Sequence, residues 1–286
     1  MGNQSPLISV DELAQQIGDP ALGIIDATWI APFLNTGKTG FDHFAAGHIP
    51  NAIFFDIDEV ADLDSPFSHT VPSKEQFSNG LSRLGLTRFK RFVVYDQNGF
   101  FASARVWWLF RLFGLDDITV LNGGFAAWIA AGNDVSKTVS ATAPSGPIDL
   151  NFHSSLLSLK RDMLSSLCDE ETSIYDARPI GRFSGTQPEP REGLASGHIP
   201  GSINLPHSVL IAADGRLKDR SELERIFEAA GGLNSNRLVA SCGSGVSAAV
   251  IALAAATIGK WSMAVYDGSW TEWANDPQLP IATSET

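Results

Sequence analysis

The chain has 286 residues, with hydrophobic residues at 44% and charged residues at 18%, enough for two globular domains, each with its own core. Its net charge of −12 excludes a general binder of nucleic acid or of an anionic membrane, since both need a basic surface, and an anionic substrate must therefore be held by a few local cations. Cys168 and Cys242 are the only cysteines, too few for a disulfide framework and without metal-ligand spacing, so no metal or other cofactor is expected and a reducing, cytoplasmic compartment is.

Residues 10–17 read as a short helix, with Ser9 as N-cap and Glu12 three residues on. Gly23-Ile24-Ile25-Asp26-Ala27-Thr28 reads as a buried strand, and a variable loop leads to Gly47-His48-Ile49-Pro50. A helix is expected over 74–84, a strand over 92–95, an aromatic-rich helix over 102–113, a strand over 118–121 closed by Asn122-Gly123-Gly124, and a helix over 125–131. Strands alternating with helices indicate α/β architecture with a mostly parallel sheet. Residues 1–10 lack a basic region followed by an apolar core, so no secretory signal is expected. The uncharged run over 238–259 is broken by Gly243 and Gly245 and reads as a strand and a buried helix rather than a membrane span.

The pattern then starts again. Ile174-Tyr175-Asp176-Ala177-Arg178 repeats Ile24-Ile25-Asp26-Ala27-Thr28 at a shift of 150, and Gly197-His198-Ile199-Pro200 repeats Gly47-His48-Ile49-Pro50 at the same shift. Residues 238–242 fall on 92–96 at a shift of 146, and Tyr266-Asp267-Gly268 with Trp273 falls on Leu121-Asn122-Gly123 with Trp128 at 145. Four segments agree in order and spacing, so two homologous domains lie in tandem. The expected division is a first domain over 1–135, a Ser/Thr/Ala/Pro/Gly-rich linker over 136–151 and a second domain over 152–286.

The differences between the halves locate the chemistry. After the strand over 238–241 comes Cys242-Gly243-Ser244-Gly245-Val246-Ser247, then a small-residue helical stretch to Ile258. Backbone amides at such a turn, with the helix dipole, favour an anion, and a sulfur there becomes a nucleophile. Set beside this is the blander reading of a buried small hydrophobe. The first half has Asp96 at the corresponding place, so only the second half carries the thiol. His48 and His198 recur in the same tetrapeptide, which favours a turn-fixing role for both. The stretch 181–193, expected as a loop beyond a strand end, has no counterpart in the first half and brings Arg182 and Arg191, planar donors suited to a carboxylate.

Cys242-Gly243-Ser244-Gly245-Val246-Ser247-Ala248, both Gly-His-Ile-Pro segments, Phe54-Phe55-Asp56-Ile57-Asp58, Arg105-Val106-Trp107-Trp108, Gly181-Arg182-Phe183, Pro188-Glu189-Pro190-Arg191 and Tyr266-Asp267-Gly268-Ser269-Trp270 together closely resemble the 3-mercaptopyruvate sulfurtransferases of the rhodanese superfamily. The resemblance covers nearly the whole chain. It implies two tandem rhodanese-like domains, each a mostly parallel sheet flanked by helices, the first inactive and the second catalytic. It makes Cys242 the residue that becomes a persulfide, and Arg182 and Arg191 the grip on the substrate carboxylate and keto group. Gly243, Gly245, Val246 and Ser247 then line the substrate. It implies that Ser244 assists proton transfer together with His48. An aspartate partner is not assigned; Asp42 lies nearby, in a segment, 35–46, that aligns poorly. Ser247 stands where the family usually has Thr, and Cys168 has no family role. The implied partners are 3-mercaptopyruvate and a thiol acceptor such as thioredoxin.

Rival readings are thiosulfate:cyanide sulfurtransfer, a cysteine phosphatase and a non-catalytic sulfur-carrier or binding module. Thiosulfate-specific members carry basic residues directly after the cysteine, where this chain has Gly243 and Ser244. A phosphatase needs an arginine six positions after the cysteine, and position 248 is Ala. The retained cysteine with its paired arginines argues against the module.

Overall fold

The computed structural model describes residues 5–34, 36–139 and 143–283. The chain divides into two compact units. The first comprises Met1–Asp64, Val71–His153 and the later segment Ala212–Leu217; the second comprises Ser154–Ile211, Lys218–Thr286 and the earlier segment Ser65–Thr70.

The first unit runs β1 (Leu7–Ile8), α1 (Val10–Ala14), β2 (Leu22–Asp26), α2 (Gly40–Ala46), β3 (Ile53–Phe54), α3 (Lys74–Arg83), β4 (Arg91–Tyr95), α4 (Ser103–Leu112), β5 (Ile118–Leu121) and α5 (Gly124–Ala130). Its five strands are all parallel, in the order β1-β5-β4-β2-β3. Every residue of β2 is buried, as a sheet covered on both faces requires. Helix α4 is buried almost all round, with Trp107, Trp108 and Phe110 fully enclosed. Arg105 enters this core by laying its guanidinium 4.5 Å over the Trp108 ring.

The second unit repeats the design with β6 (Leu157–Ser158), α6 (Lys160–Ser166), β7 (Thr172–Asp176), α7 (Ile180–Ser184), β8 (Ile203–Asn204), α8 (Arg220–Ala229), β9 (Arg237–Ser241), α9 (Ala248–Thr257), β10 (Ala264–Tyr266) and α10 (Ser269–Ala274). Its strand order is β6-β10-β9-β7-β8, again all parallel. The registers agree with the repeat: Asp26 pairs with Tyr95 in one sheet and Asp176 with Ser241 in the other. Helix α9 is apolar on every side and its residues through Ala256 are buried, so the uncharged run is a core helix, and no described helix is long and apolar enough to cross a membrane.

Three features differ from the sequence-based expectation. Residues 40–46 form α2 rather than a loop, because Thr39 and Asp42 make a reciprocal capping box and Gly40 admits the Thr28 carbonyl, which a Cβ would meet at 1.9 Å. The stretch expected as a linker, 136–151, lies along the first unit: Ser136 bridges to His48, the Ser145 amide donates to the Ser82 carbonyl at 2.9 Å, and the Asn151 amide to the Phe113 carbonyl at 3.0 Å. Its residues 140–142 and Asn35 of the poorly aligned segment lie outside the described ones. Finally, Arg182 lies in α7 rather than in a loop.

Helix caps give the fold an acid dependence. Backbone and hydroxyl donors of Thr39 hold the Asp42 carboxyl below its ordinary value, and the Glu222 amide does the same for the α8 cap Asp219. A depressed folded-state pKa contributes stability that is complete above the unfolded value and lost as pH falls toward the folded one. Asp42→Ala and Asp219→Ala proteins should therefore have lower urea midpoints than the parent at neutral pH. The gap should close as pH falls below about 4, through the carboxylate range; a gap that stays constant into acid contradicts this account.

Candidate active site

Strand β9 ends at Ser241, the loop 242–247 follows, and α9 begins at Ala248. Cys242 is buried, as are Ser244, Val246 and Ser247. Gly245 turns the chain with φ of +77°, a conformation natural to glycine. The start of α10 clamps the loop. The Cys242 amide donates to Ser269 Oγ at 3.2 Å, and the Cys242 carbonyl accepts from the Trp270 amide at 2.9 Å. The Gly243 carbonyl accepts from the Thr271 amide at 2.9 Å and from Thr271 Oγ1 at 2.6 Å. Ser269 adopts φ of +50°, strained for a residue with a Cβ, and its hydroxyl is bound at both ends, donating to the Tyr266 carbonyl at 2.7 Å. The sulfur is thereby carried on a fixed backbone.

The first unit carries a different residue at the same place. At the place of Cys242 stands Asp96, whose carboxylate accepts from the amides of Asn98 (3.4 Å), Phe100 (3.0 Å), Ala102 (3.1 Å) and Ser103 (2.9 Å). Loop amides and the first turn of α4 thus converge on an anion carried by that residue. At the shift of 146, the amides of Ser244, Val246 and Ala248 correspond to the first three donors.

Both arginines come to the loop. A Cβ built on Gly243 would lie 3.1 Å from Arg182 Nη2 and 3.7 Å from Arg191 Nη1, so Gly243 leaves room for two guanidiniums beside the cysteine. Gly243→Ala should displace the Arg182 end by a few tenths of an ångström, with Arg191 left in ordinary contact, and raise KM for an anionic donor several-fold while leaving the melting temperature near that of the parent. Unchanged kinetics contradict the arrangement.

Arg182 is held from behind by a carboxylate the sequence reading missed. Its Nε donates to both Glu189 oxygens at 3.1 Å, and its Nη2 also donates to Glu189. Glu189 in turn accepts from Arg178 Nη1 at 2.8 Å, and Arg178 binds Asp176 through Nη2 at 2.6 Å and Nε at 3.0 Å. The Arg178, Asp176 and Glu189 side chains are only 1–2% exposed, and the Arg178 guanidinium lies 4.3 Å from the centroid of the Trp270 ring. A buried ionic chain of this kind is a costly way to gain stability; what it does accomplish is to fix the Arg182 plane.

Two further side chains belong to this end of the unit. His207, after β8, has its Nδ1 bonded to the Ala177 carbonyl at 3.3 Å, and Ala177 donates its amide to the Ser241 carbonyl at 2.8 Å. Burial pushes the His207 imidazole pKa down, against the bond to Ala177 and with added help from the Arg182 charge, so it is neutral near pH 7. Ser68, in the segment Ser65–Thr70, accepts from Arg191 Nη2 at 3.2 Å, and its neighbour His69 is buried.

His48 is tied down within the first unit. Its Nδ1 bonds the Phe44 carbonyl at 2.8 Å, its ring stacks on Phe44, and its backbone pairs with Ser136. His198 does the same in the second unit with Phe183 and Ala282. The shared geometry is the turn-fixing role the repeat suggests. Asp42 caps α2, and Cys168 is an exposed free thiol in the second unit.

Two parallel-sheet domains in tandem, one with an aspartate at the head of the loop and one with a cysteine there beside two arginines, define a two-domain α/β protein with its candidate site at one loop of the second domain. Family comparison is more specific: the Rhodanese-like domain model matches residues 9–131 and 160–276, and the chain belongs to that family. It is 37% identical to the thiosulfate/3-mercaptopyruvate sulfurtransferase 2 of Arabidopsis thaliana, over 100% of this chain and 89% of that protein. It is 39% identical to the thiosulfate sulfurtransferase of Rattus norvegicus, over 93% and 91%. The crystal structure of the Escherichia coli 3-mercaptopyruvate sulfurtransferase SseA superposes with a TM-score of 0.84 at 34% identity, covering 93% of this chain and 99% of that one.

Proposed function

We propose that this chain moves sulfur from 3-mercaptopyruvate to a thiol acceptor, or to cyanide, through a persulfide on Cys242. The observation that carries the reading is the single loop that holds a buried cysteine with two guanidiniums beside Gly243. Relatives named for both donors are comparably similar, so the choice of donor rests on the residues. Gly243 and Ser244 add no charge after the cysteine, which suits a monoanion gripped by Arg182 and Arg191 better than a dianion.

The Cys242 thiolate attacks the donor sulfur. An S–S bond forms, the C–S bond breaks, and its electron pair leaves as the pyruvate enolate. The proton of the donor thiol, or one from solvent, ends on the enolate carbon. The outer sulfur is left as an anion facing the amides of Ser244, Val246 and Ala248. An acceptor thiolate, such as that of reduced thioredoxin, then takes the outer sulfur and regenerates the Cys242 thiolate. Two half-reactions through a covalent intermediate give ping-pong kinetics. Ser244 is assigned the proton relay. His48 is kept as its histidine, and His69, whose neighbour Ser68 accepts from Arg191, is a second candidate for that role. The thiolate chemistry suits a reducing compartment such as the cytoplasm. Steady-state kinetics with each donor and cyanide test the reading: a higher kcat/KM for 3-mercaptopyruvate than for thiosulfate supports it, and the reverse order establishes thiosulfate sulfurtransfer instead.

A further inference from the structure

The ionic chain behind Arg182 has a consequence for which donors the site accepts. It contains two carboxylates, Asp176 and Glu189, and two guanidiniums, Arg178 and Arg182, and so carries no net charge. The Glu189 carboxylate is engaged by both arginines and is buried, where solvent screens it little. Arg182 therefore offers the substrate directed N–H donors while most of its charge is cancelled at close range.

We propose that Glu189 is a specificity-determining residue: by neutralising Arg182 it lowers the attraction of the site for doubly charged sulfur donors, such as thiosulfate, relative to singly charged ones. Directed hydrogen bonds hold a carboxylate and a keto oxygen by their geometry, and an uncompensated guanidinium strengthens each of them for either donor. Long-range Coulomb attraction grows with the charge of the donor, and an uncompensated Arg182 would favour a dianion over a monoanion. Glu189 thus acts through Arg182 and touches no reacting atom. This inference rests on the proposed sulfur-transfer reading and concerns only its choice of donor.

The test is the ratio of kcat/KM for thiosulfate to that for 3-mercaptopyruvate, measured with cyanide on the parent, Glu189→Gln, Glu189→Asp and Arg182→Gln proteins. Sulfate inhibition provides a second measure of dianion affinity. The neutral amide introduced by Glu189→Gln leaves the Arg182 charge uncompensated, so the ratio should rise about tenfold and sulfate should inhibit at lower concentration. Glu189→Asp keeps the charge and should keep the parental ratio even where both activities fall. Arg182→Gln removes the cation and leaves Glu189 in place, so the ratio should fall and sulfate inhibition weaken. A purely structural role for Glu189 would lower both donors in parallel; an unchanged ratio in Glu189→Gln overturns the proposal. Should that variant not fold, an unchanged ratio in Arg182→Gln overturns it. A parent protein inactive with 3-mercaptopyruvate but active with thiosulfate would defeat the donor reading itself, a result distinct from either of these.

Discussion

Cys242→Ser protein should show no sulfur transfer above the solvent background with either donor, while melting close to the parent. Serine keeps the size and the backbone of the residue, and the clamp holds backbone atoms of residues 242 and 243 rather than the sulfur. What is lost is the nucleophile: a hydroxyl is not ionised near neutral pH, and an S–O bond cannot take the place of a persulfide. The cradle corresponding to the one around the Asp96 carboxylate would remain, without an anion on residue 242 to occupy it. Measurable turnover in this variant, from protein free of parental enzyme, contradicts the covalent mechanism.

The second large effect is expected from Arg182→Ala. The guanidinium is 19% exposed at its side chain and paired with a carboxylate that is 1% exposed. Truncating one partner of such a buried charge pair costs about 2–5 kcal/mol, much of it from the charge left behind. Arg178 still holds Glu189, which places the expected loss toward the lower end. On the substrate side the missing donors should lower kcat/KM for 3-mercaptopyruvate about a hundredfold, mainly through KM, with kcat falling as well because the grip also aligns the sulfur. Arg182→Lys restores the charge without the planar fork and should recover only part of the loss. A kcat/KM for Arg182→Ala within about threefold of the parent, a change worth less than about 1 kcal/mol, would remove Arg182 from the site.

Much of the fold was legible because the chain contains its own control. Repeating Asp26-Ala27 as Asp176-Ala177, and Gly-His-Ile-Pro in each half, identified two domains of one design, and the strand registers follow that alignment. The same comparison singled out Cys242 against Asp96, and the structure adds how the Asp96 carboxylate gathers its loop amides. Helix α2 escaped because Gly40 and two phenylalanines read as an irregular stretch, although Thr39 with Asp42 three residues on is a capping signal. The segments Ser65–Thr70 and Ala212–Leu217, each grouped apart from its sequence neighbours, have no local signature in six residues of sequence.

The ionic chain behind Arg182 is hidden in the sequence for a physical reason. Pro188-Glu189-Pro190-Arg191 has the composition of an exposed loop, and charged residues are rarely buried unless paired. The pairing signal was nonetheless present in the repeat: Arg178 stands where the first half has Thr28. Thr28 is buried, with its hydroxyl on Asp26 at 2.5 Å, so an arginine at the equivalent place enters a buried site, and beyond Asp176 it gains a second carboxylate. Following that difference through leads to Glu189.

Mass spectrometry of the Cys242 peptide after a brief incubation of the purified protein with 3-mercaptopyruvate, without acceptor, tests the central claim most directly. The persulfide account predicts that this peptide gains the mass of one sulfur atom, that the gain disappears on adding a thiol, and that the Cys168 peptide is unchanged. Pyruvate release without any sulfur on Cys242, or sulfur carried on Cys168 instead, would contradict it.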